Sequence, residues 1–440
     1  MNKKLDRSKF LTEKARKLIP SQTGTFSRAA SSFVEGVYPS YAESASGAYF
    51  TDVDGNTYLD YLCGLGPITL GYNYQRVDAA IIKQLRKGIL FSLPHPIEIE
   101  LSEKISKIIP SAEMIKFEKS GSNAVTAAVR VARAFTNRDK IAYCGSGGVW
   151  HDWQAAMVSR DGGVPIFNRD LIKIFEYNDS EGLSQIFEDN KNEIAAIVLE
   201  PTHFEKPNDN FLSNVRKLAD ENNSLLILDE IVTGFRFDLG GAQKFFNIKG
   251  DLVCFGKGMS NGLPISAITG PEEFMSTFDK LWVSSSNNME VLSMAGCLAT
   301  INEMQEKKTI EHCWTVGKKL FDGWNKISSQ TDFNVTMEGY PIRMNSKFFD
   351  SNMTESLTLK SLVFQEMVKK GFFISPLNAI YLSYSHSSEN IEQTLTAFND
   401  VLDELSRKIH DENFSSLLEG NLPKSIWTMK IHPTKKHHKI

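Results

Sequence analysis

Two charged residues stand at the ends of two short apolar runs. Leu225 to Leu228 is followed by Asp229 and Glu230; Leu252 to Phe255 is followed by Gly256, Lys257 and Gly258. Short apolar runs bounded by turn residues read as buried strands of a parallel sheet. Ligands of open α/β sheets gather at the C-terminal ends of the strands. An acid and a lysine at such an edge suit pyridoxal phosphate chemistry. The lysine holds the aldehyde as a Schiff base, and the carboxylate keeps the pyridine nitrogen protonated so that the ring accepts electrons. Glycines on both sides of Lys257 let backbone and ligand approach closely. Taken singly, Asp229 reads as a helix N-cap and Lys257 as a solvated loop lysine. Their order and placement together carry the cofactor reading.

Further polar groups arrive at strand ends. Met114 to Phe117 reads as a strand, and VTAAVRVARAF has small and apolar residues at helical spacing. Ser120, Gly121, Ser122 and Asn123 lie between them. Strand, small polar turn and helix together make an anion site, because free N–H groups and the helix dipole point outward there. An ordinary N-cap uses the same residues. Ile194 to Leu199 is strongly apolar and ends in Glu200. Ile141 to Gly148 runs into glycines, which raises a nicotinamide-dependent oxidoreductase as a rival. The full GxGxxG fingerprint is missing, and Asp161 sits in a loop-like context unsuited to capping a ribose.

The elements that must position these residues follow from the patterning. Leu5 to Ile19 predicts a helix closed by Pro20, and residues 21–46 show no periodicity. Ala48 to Tyr61 predicts two strands around Asp54, Gly55 and Asn56. Helices are expected at Val77 to Leu85, at Leu101 to Ile109 (stopped by Pro110), at Val215 to Glu221 and from Val291. From Asn302 the pattern becomes α+β. It predicts a charged helix to about Ser328, strands near Phe333 to Val335, Arg343 to Phe349, Phe372 to Ser375 and Ala379 to Tyr384, and helices near Leu359 to Lys370 and Ile391 to Ile409.

Bulk properties exclude several classes. The chain has 440 residues, 41% hydrophobic and 23% charged, with a net charge of −4. That is an ordinary globular composition, long enough for about two domains. It gives no reason to expect nucleic acid or an anionic membrane as partner. No apolar run reaches the ~18 residues of a membrane span, and no signal core opens the chain. Five cysteines without a CxxC suit a reducing compartment, so a cytoplasmic location is expected, and no metal.

The stretches DEIVTGFRF, GDLVCFGKGMSNGLPISA and DVDGNTYLDY, in their order, resemble the class III pyridoxal-phosphate-dependent aminotransferases of fold type I. The likeness is greatest to the glutamate-1-semialdehyde 2,1-aminomutase branch and spans roughly residues 19–398. It implies an α/β large domain with a mainly parallel, seven-stranded type of sheet over residues 61–300. A smaller α+β domain would come from residues 1–60 and 301–420, with a tail over 421–440. It implies amino transfer from a small-molecule donor to a carbonyl acceptor in a homodimer with shared active sites.

The resemblance also implies site residues. Lys257 would hold pyridoxal 5'-phosphate and move the proton, a role that needs the neutral amine. Asp229 would pair with the ring nitrogen, with Ile231 and Glu200 beside the cofactor. Gly121, Ser122 and Asn123 would receive its phosphate, and Ser286 would reach the phosphate of the neighbouring subunit. Arg28 falls about where a carboxylate-binding arginine is expected, though its spacing to the next motif differs. The family's aromatic–His–Gly is replaced here by Ser146, Gly147, Gly148, Val149 and Trp150, so Trp150 becomes the candidate stacking ring; its alternative is core packing. A glutamate that the aminomutase carries before its Ala–His–Ser motif has no counterpart between Pro376 and His386. That favours intermolecular transfer over the aminomutase reaction, and intact Asp229 and Lys257 oppose a non-catalytic relative.

Overall fold

The apolar runs become strands in the computed structural model, which describes residues 4–109, 111–145, 152–408 and 414–425. Two compact units form. One holds the described residues up to Gln75 and those from Glu303 onward; the other is Arg76–Asn302. Among the described residues no helix is long and apolar enough to cross a membrane.

Strands β1 (Ala42–Ser46), β2 (Tyr49–Asp52) and β3 (Thr57–Asp60) open the first unit. The second unit contains β4 (Met114–Glu118), β5 (Lys140–Cys144), β6 (Ile172–Phe175), β7 (Ile194–Leu199), β8 (Leu225–Glu230), β9 (Leu252–Phe255) and β10 (Ser266–Gly270). These seven form one sheet in the order β4-β10-β9-β8-β7-β5-β6. Strands β6, β5, β7, β8 and β9 run parallel, while β10 is antiparallel to both its neighbours. The fold is therefore the expected α/β type with a mainly parallel seven-stranded sheet.

Every residue of β7 and β8 is buried. A strand covered on both faces has no polar side to show, hence the unbroken apolar runs. One cover is the helix Gly121–Thr136, whose Ala124, Ala127, Ala128, Val131 and Ala132 pack in the core of this unit. Alanines leave little side chain in the way, so the helix approaches the sheet closely.

The rest of the first unit adds β11 (Asn334–Tyr340), β12 (Arg343–Phe349), β13 (Phe372–Phe373) and β14 (Ile380–Tyr381). Strand β13 joins the first three strands, while β11, β12 and β14 form a separate sheet. Trp324, fully buried, stacks on Phe398 with ring centroids 3.6 Å apart.

Several expectations need correction. The charged helix expected from Asn302 to Ser328 begins only at Thr309; the residues up to Glu306 belong to the helix expected from Val291, which spans Val291–Glu306. The two helices part at Lys308, which takes a left-handed φ of 49°. Residues 21–46 are not wholly irregular, since they contain β1. That strand is mostly exposed, so it carries no alternating signal. The helix expected to stop at Pro110 ends earlier, at Ser106; Pro110 itself lies outside the described residues.

Candidate active site

Strands β8 and β9 pair in parallel with Asp229 opposite Cys254 and Glu230 opposite Phe255. Lys257 follows two residues after Phe255. The acid and the lysine therefore leave the same edge of the sheet from adjacent strands. Lys257 is half-buried and begins a 3-10 turn with φ of 38°, a left-handed conformation that is costly for a residue with a side chain. Strain of this kind persists where the surroundings enforce it, often at functional sites.

Asp229 is buried and accepts the N–H of Ile231 at 3.0 Å. Its charge is felt on both sides. Burial, with the Asp229 carboxylate adding, holds the Cys254 thiol well above its usual range. Burial also raises the Tyr143 phenol well above its usual range, with Asp229, Cys144 and Glu200 adding. Glu200, at the end of β7, is buried too. The structure thus gathers Asp229, Glu200 and Tyr143 at one edge. Tyr143 escaped the sequence reading because it sits inside an apolar strand and looks like core.

Glu230 turns away to a structural task. Fully buried, its carboxylate accepts the Thr233 hydroxyl and the N–H groups of Ala242 and Gln243. Burial pushes this carboxyl up to about 7 against those three hydrogen bonds. It fastens both ends of the loop that follows Asp229.

Ser120 caps the helix Gly121–Thr136, its side chain accepting the N–H of Asn123. The first N–H groups, those of Gly121 and Ser122, have no partner within the helix. This end is tied to the Lys257 edge in two ways. Ser266 of β10 donates its hydroxyl to the Ser120 carbonyl at 2.8 Å. The Ile231 side chain fills the space between the two glycines. A Cβ on Gly121 would lie 2.9 Å from it, and one on Gly256 would lie 3.2 Å from it. Ile231 thus links the acid's strand, the helix end and the lysine turn.

A cavity of about 350 Å³ opens beside this helix, with Glu118, Ser122 and Asn123 on one side and Ser284 and Ser285 on another. Ser286, the next residue, is exposed. The segment is anchored by Glu290, which accepts the Ser293 hydroxyl and pairs with Lys119 at 2.9 Å. Trp150 lies outside the described residues. On either side of it in the sequence, the Gly145 N–H donates to the Phe175 carbonyl and Asp152 accepts the Thr126 hydroxyl. Arg28 belongs to the first unit, where its exposed guanidinium donates to the Gly64 carbonyl at 2.9 Å.

The donor set fits pyridoxal phosphate. A dianionic phosphate would find N–H groups left over at a helix end, a pyridinium would find a buried carboxylate, and an aldehyde would find a lysine. Close packing at this helix end gives a direct check. Gly121→Ala should cost about 1–3 kcal/mol through overpacking, read as a lower melting temperature of the cofactor-free protein. Ile231→Ala, which removes all three contacting atoms, should cost less stability in the Gly121→Ala background than in the wild type; equal cost in both would show that the two side chains do not compete for space.

Comparison with known proteins gives the family and the fold. The profile of the class-III aminotransferases matches residues 33–402. A glutamate-1-semialdehyde 2,1-aminomutase of Alkaliphilus oremlandii is 34% identical over 92% of this chain and 100% of its own length. A 3-aminobutyryl-CoA aminotransferase of Cloacimonas acidaminovorans is also 34% identical, over 92% of this chain and 99% of its own. Among solved structures, the FumI protein of Sphingopyxis sp. MTA144, in its pyridoxal phosphate internal aldimine form, superposes with a TM-score of 0.85. It is 26% identical and covers 91% of this chain and 97% of its own.

Proposed function

Since the chain belongs to the class-III aminotransferases, we propose that it moves an amino group from a small-molecule donor to a separate carbonyl acceptor. The observation that carries this is the pairing of Asp229 and Lys257 at the ends of adjacent parallel strands. Pyridoxal phosphate is the cofactor of the family; when bound, it supplies an electron sink for the carbon that loses or gains the amine. The rest is the work of this chain's own residues. Asp229 holds the ring nitrogen protonated. Gly121, Ser122 and Asn123 hold the phosphate, and Ile231 fixes the spacing between that end and the lysine. Lys257 carries the aldehyde and then moves the proton at the reacting carbon. Arg28 receives a substrate carboxylate through a two-pronged guanidinium contact. Glu200 steadies the polar network around Asp229. Trp150 covers the ring face, and Ser286 serves the phosphate of a second copy in a homodimer. Five buried free cysteines support work in a reducing cytoplasm.

The aminomutase among the relatives makes intramolecular transfer the second reading. Against it stands the stretch Leu377 to Ser385, which holds no carboxylate. The two readings part in one experiment. The purified protein should be yellow, and a panel of amino donors should bleach the band while releasing the donor's oxo product. Full turnover should then require an added carbonyl acceptor. Turnover of one substrate to its isomer, with no acceptor added, would establish the mutase reading instead.

A further inference from the structure

The loop after β3 carries a run of left-handed backbone. Cys63, Gly64, Leu65 and Gly66 have φ of 48°, 64°, 74° and 94°. Two of the four have side chains, which rarely adopt this conformation, so something must hold the loop there. The holder is Asp60, at the end of β3 and only 3% exposed. Its carboxylate accepts the N–H of Leu62 at 2.8 Å and those of Cys63 and Gly64. Successive N–H groups of such a turn form a concave anion site; here the anion is the protein's own. The Tyr72 hydroxyl donates to the second carboxylate oxygen at 2.6 Å.

The same loop reaches Arg28. Its guanidinium donates to the carbonyl of Gly64, the third residue whose N–H faces Asp60. Arg28 also lies close enough to Tyr72 for its charge to act on the phenol. Asp60, Gly64, Tyr72 and Arg28 line one cavity of about 390 Å³ within the first unit. A flexible arginine on an exposed turn would otherwise sample many rotamers. Here one of its nitrogens is fixed by a carbonyl whose own place depends on a buried acid.

We propose that Asp60 and Tyr72 are positioning residues for substrate recognition, locking the 62–66 loop so that Gly64 holds Arg28 ready for a substrate carboxylate. This rests on the reading of Arg28 as the carboxylate anchor. Neither residue touches the substrate; each acts through the loop.

Two small probes test it on the holoenzyme without knowledge of the natural substrate. Aminooxyacetate and methoxyamine both react with the cofactor aldehyde and bleach the yellow band, but only the first carries a carboxylate. The readout is the ratio of their rate constants, set against the same ratio for free pyridoxal phosphate. The wild type should show an elevated ratio, and Arg28→Ala should return it to the free-cofactor value. Asp60→Asn should lower it about 10-fold, and Tyr72→Phe about 3- to 10-fold, the scale of one ordinary lost hydrogen bond. The methoxyamine rate should stay within about 2-fold, since reactivity itself is untouched. Tyr72→Phe removes one oxygen and keeps the ring, so it serves even where Asp60→Asn folds poorly.

A wild-type ratio no higher than that of free cofactor, or one that survives Arg28→Ala, removes the premise and the inference with it. Loss of the ratio in Arg28→Ala but not in Asp60→Asn or Tyr72→Phe keeps the premise and overturns the positioning role. Equal slowing of both probes in the Asp60 and Tyr72 variants reduces the pair to general structural support and overturns it as well.

Discussion

Lys257→Ala should abolish turnover and leave a folded protein. On the proposed reading, the substitution removes the side chain that makes the covalent attachment and also moves the proton. Proton transfer by a placed side chain alone contributes about 10²–10⁴-fold, and loss of the attachment comes on top. Folding is spared because Lys257 is only half-buried and starts a turn. Alanine bears the same steric cost at a φ of 38° as the lysine it replaces, so the turn, whose Met259 and Ser260 stay buried, should keep its conformation. Three measurements check this. The yellow band should vanish, donor-dependent bleaching should disappear, and the melting temperature of the cofactor-free form should stay near that of wild type. Borohydride treatment of the wild type, followed by peptide mapping, should mark Lys257. A mark on Lys244 or Lys249 would refute the assignment. Added small amines should restore a little turnover to Lys257→Ala, since a diffusible base replaces the lost one weakly.

The sequence exposed the centre of this site more clearly than its periphery, for physical reasons. Strands β7, β8 and β9 are covered on both faces. Burial forces a solid apolar run, and the first charge after each run marks the sheet edge. Asp229, Glu200 and Lys257 were legible for that reason. Ser120 to Asn123 were legible because a helix needs a cap where a strand gives way to it. Elements without such contrast were not. Strand β10 begins at Ser266, directly after a glycine- and proline-bearing stretch, and its five residues mix serine, threonine and glycine with two apolar ones. Its tie to the Ser120 carbonyl, which joins the turn before the helix to the sheet edge, is a tertiary contact across 146 residues. The break at Lys308 could not be read, because lysine is a good helix former and nothing marks it as left-handed. The left-handed loop at Cys63 to Gly66 carries no charge of its own, and the acid that holds it lies in the preceding strand. Glu230 shows the opposite hazard. It stands beside Asp229 with the same charge, and only the structure shows it spent on the N–H groups of Ala242 and Gln243.

Asp229→Asn separates the cofactor's electronics from its binding pocket. The amide is nearly the same size and keeps an oxygen for the Ile231 N–H, now at 3.0 Å. The strand and its pairing with Cys254 should therefore persist. What is lost is the negative charge opposite a cationic ring. Removing one partner from a buried ion pair costs about 3–5 kcal/mol, roughly 10²- to 10³-fold or more in rate if that difference falls on the reacting state. The ring nitrogen then loses its proton and the electron sink weakens. Turnover should fall by at least two orders of magnitude while the melting temperature of the cofactor-free form changes little. The visible band should move as the ring changes protonation state. A cofactor analogue with a permanently charged, N-methylated ring nitrogen should recover part of the activity in Asp229→Asn, because the charge no longer depends on the protein. Near-normal turnover in Asp229→Asn would mean that another acid holds the ring. Glu200 is then the group to substitute, since it is buried at the same edge and its charge, like that of Asp229, reaches Tyr143. The double variant Asp229→Asn, Glu200→Gln would fall to the level predicted here for Asp229→Asn alone.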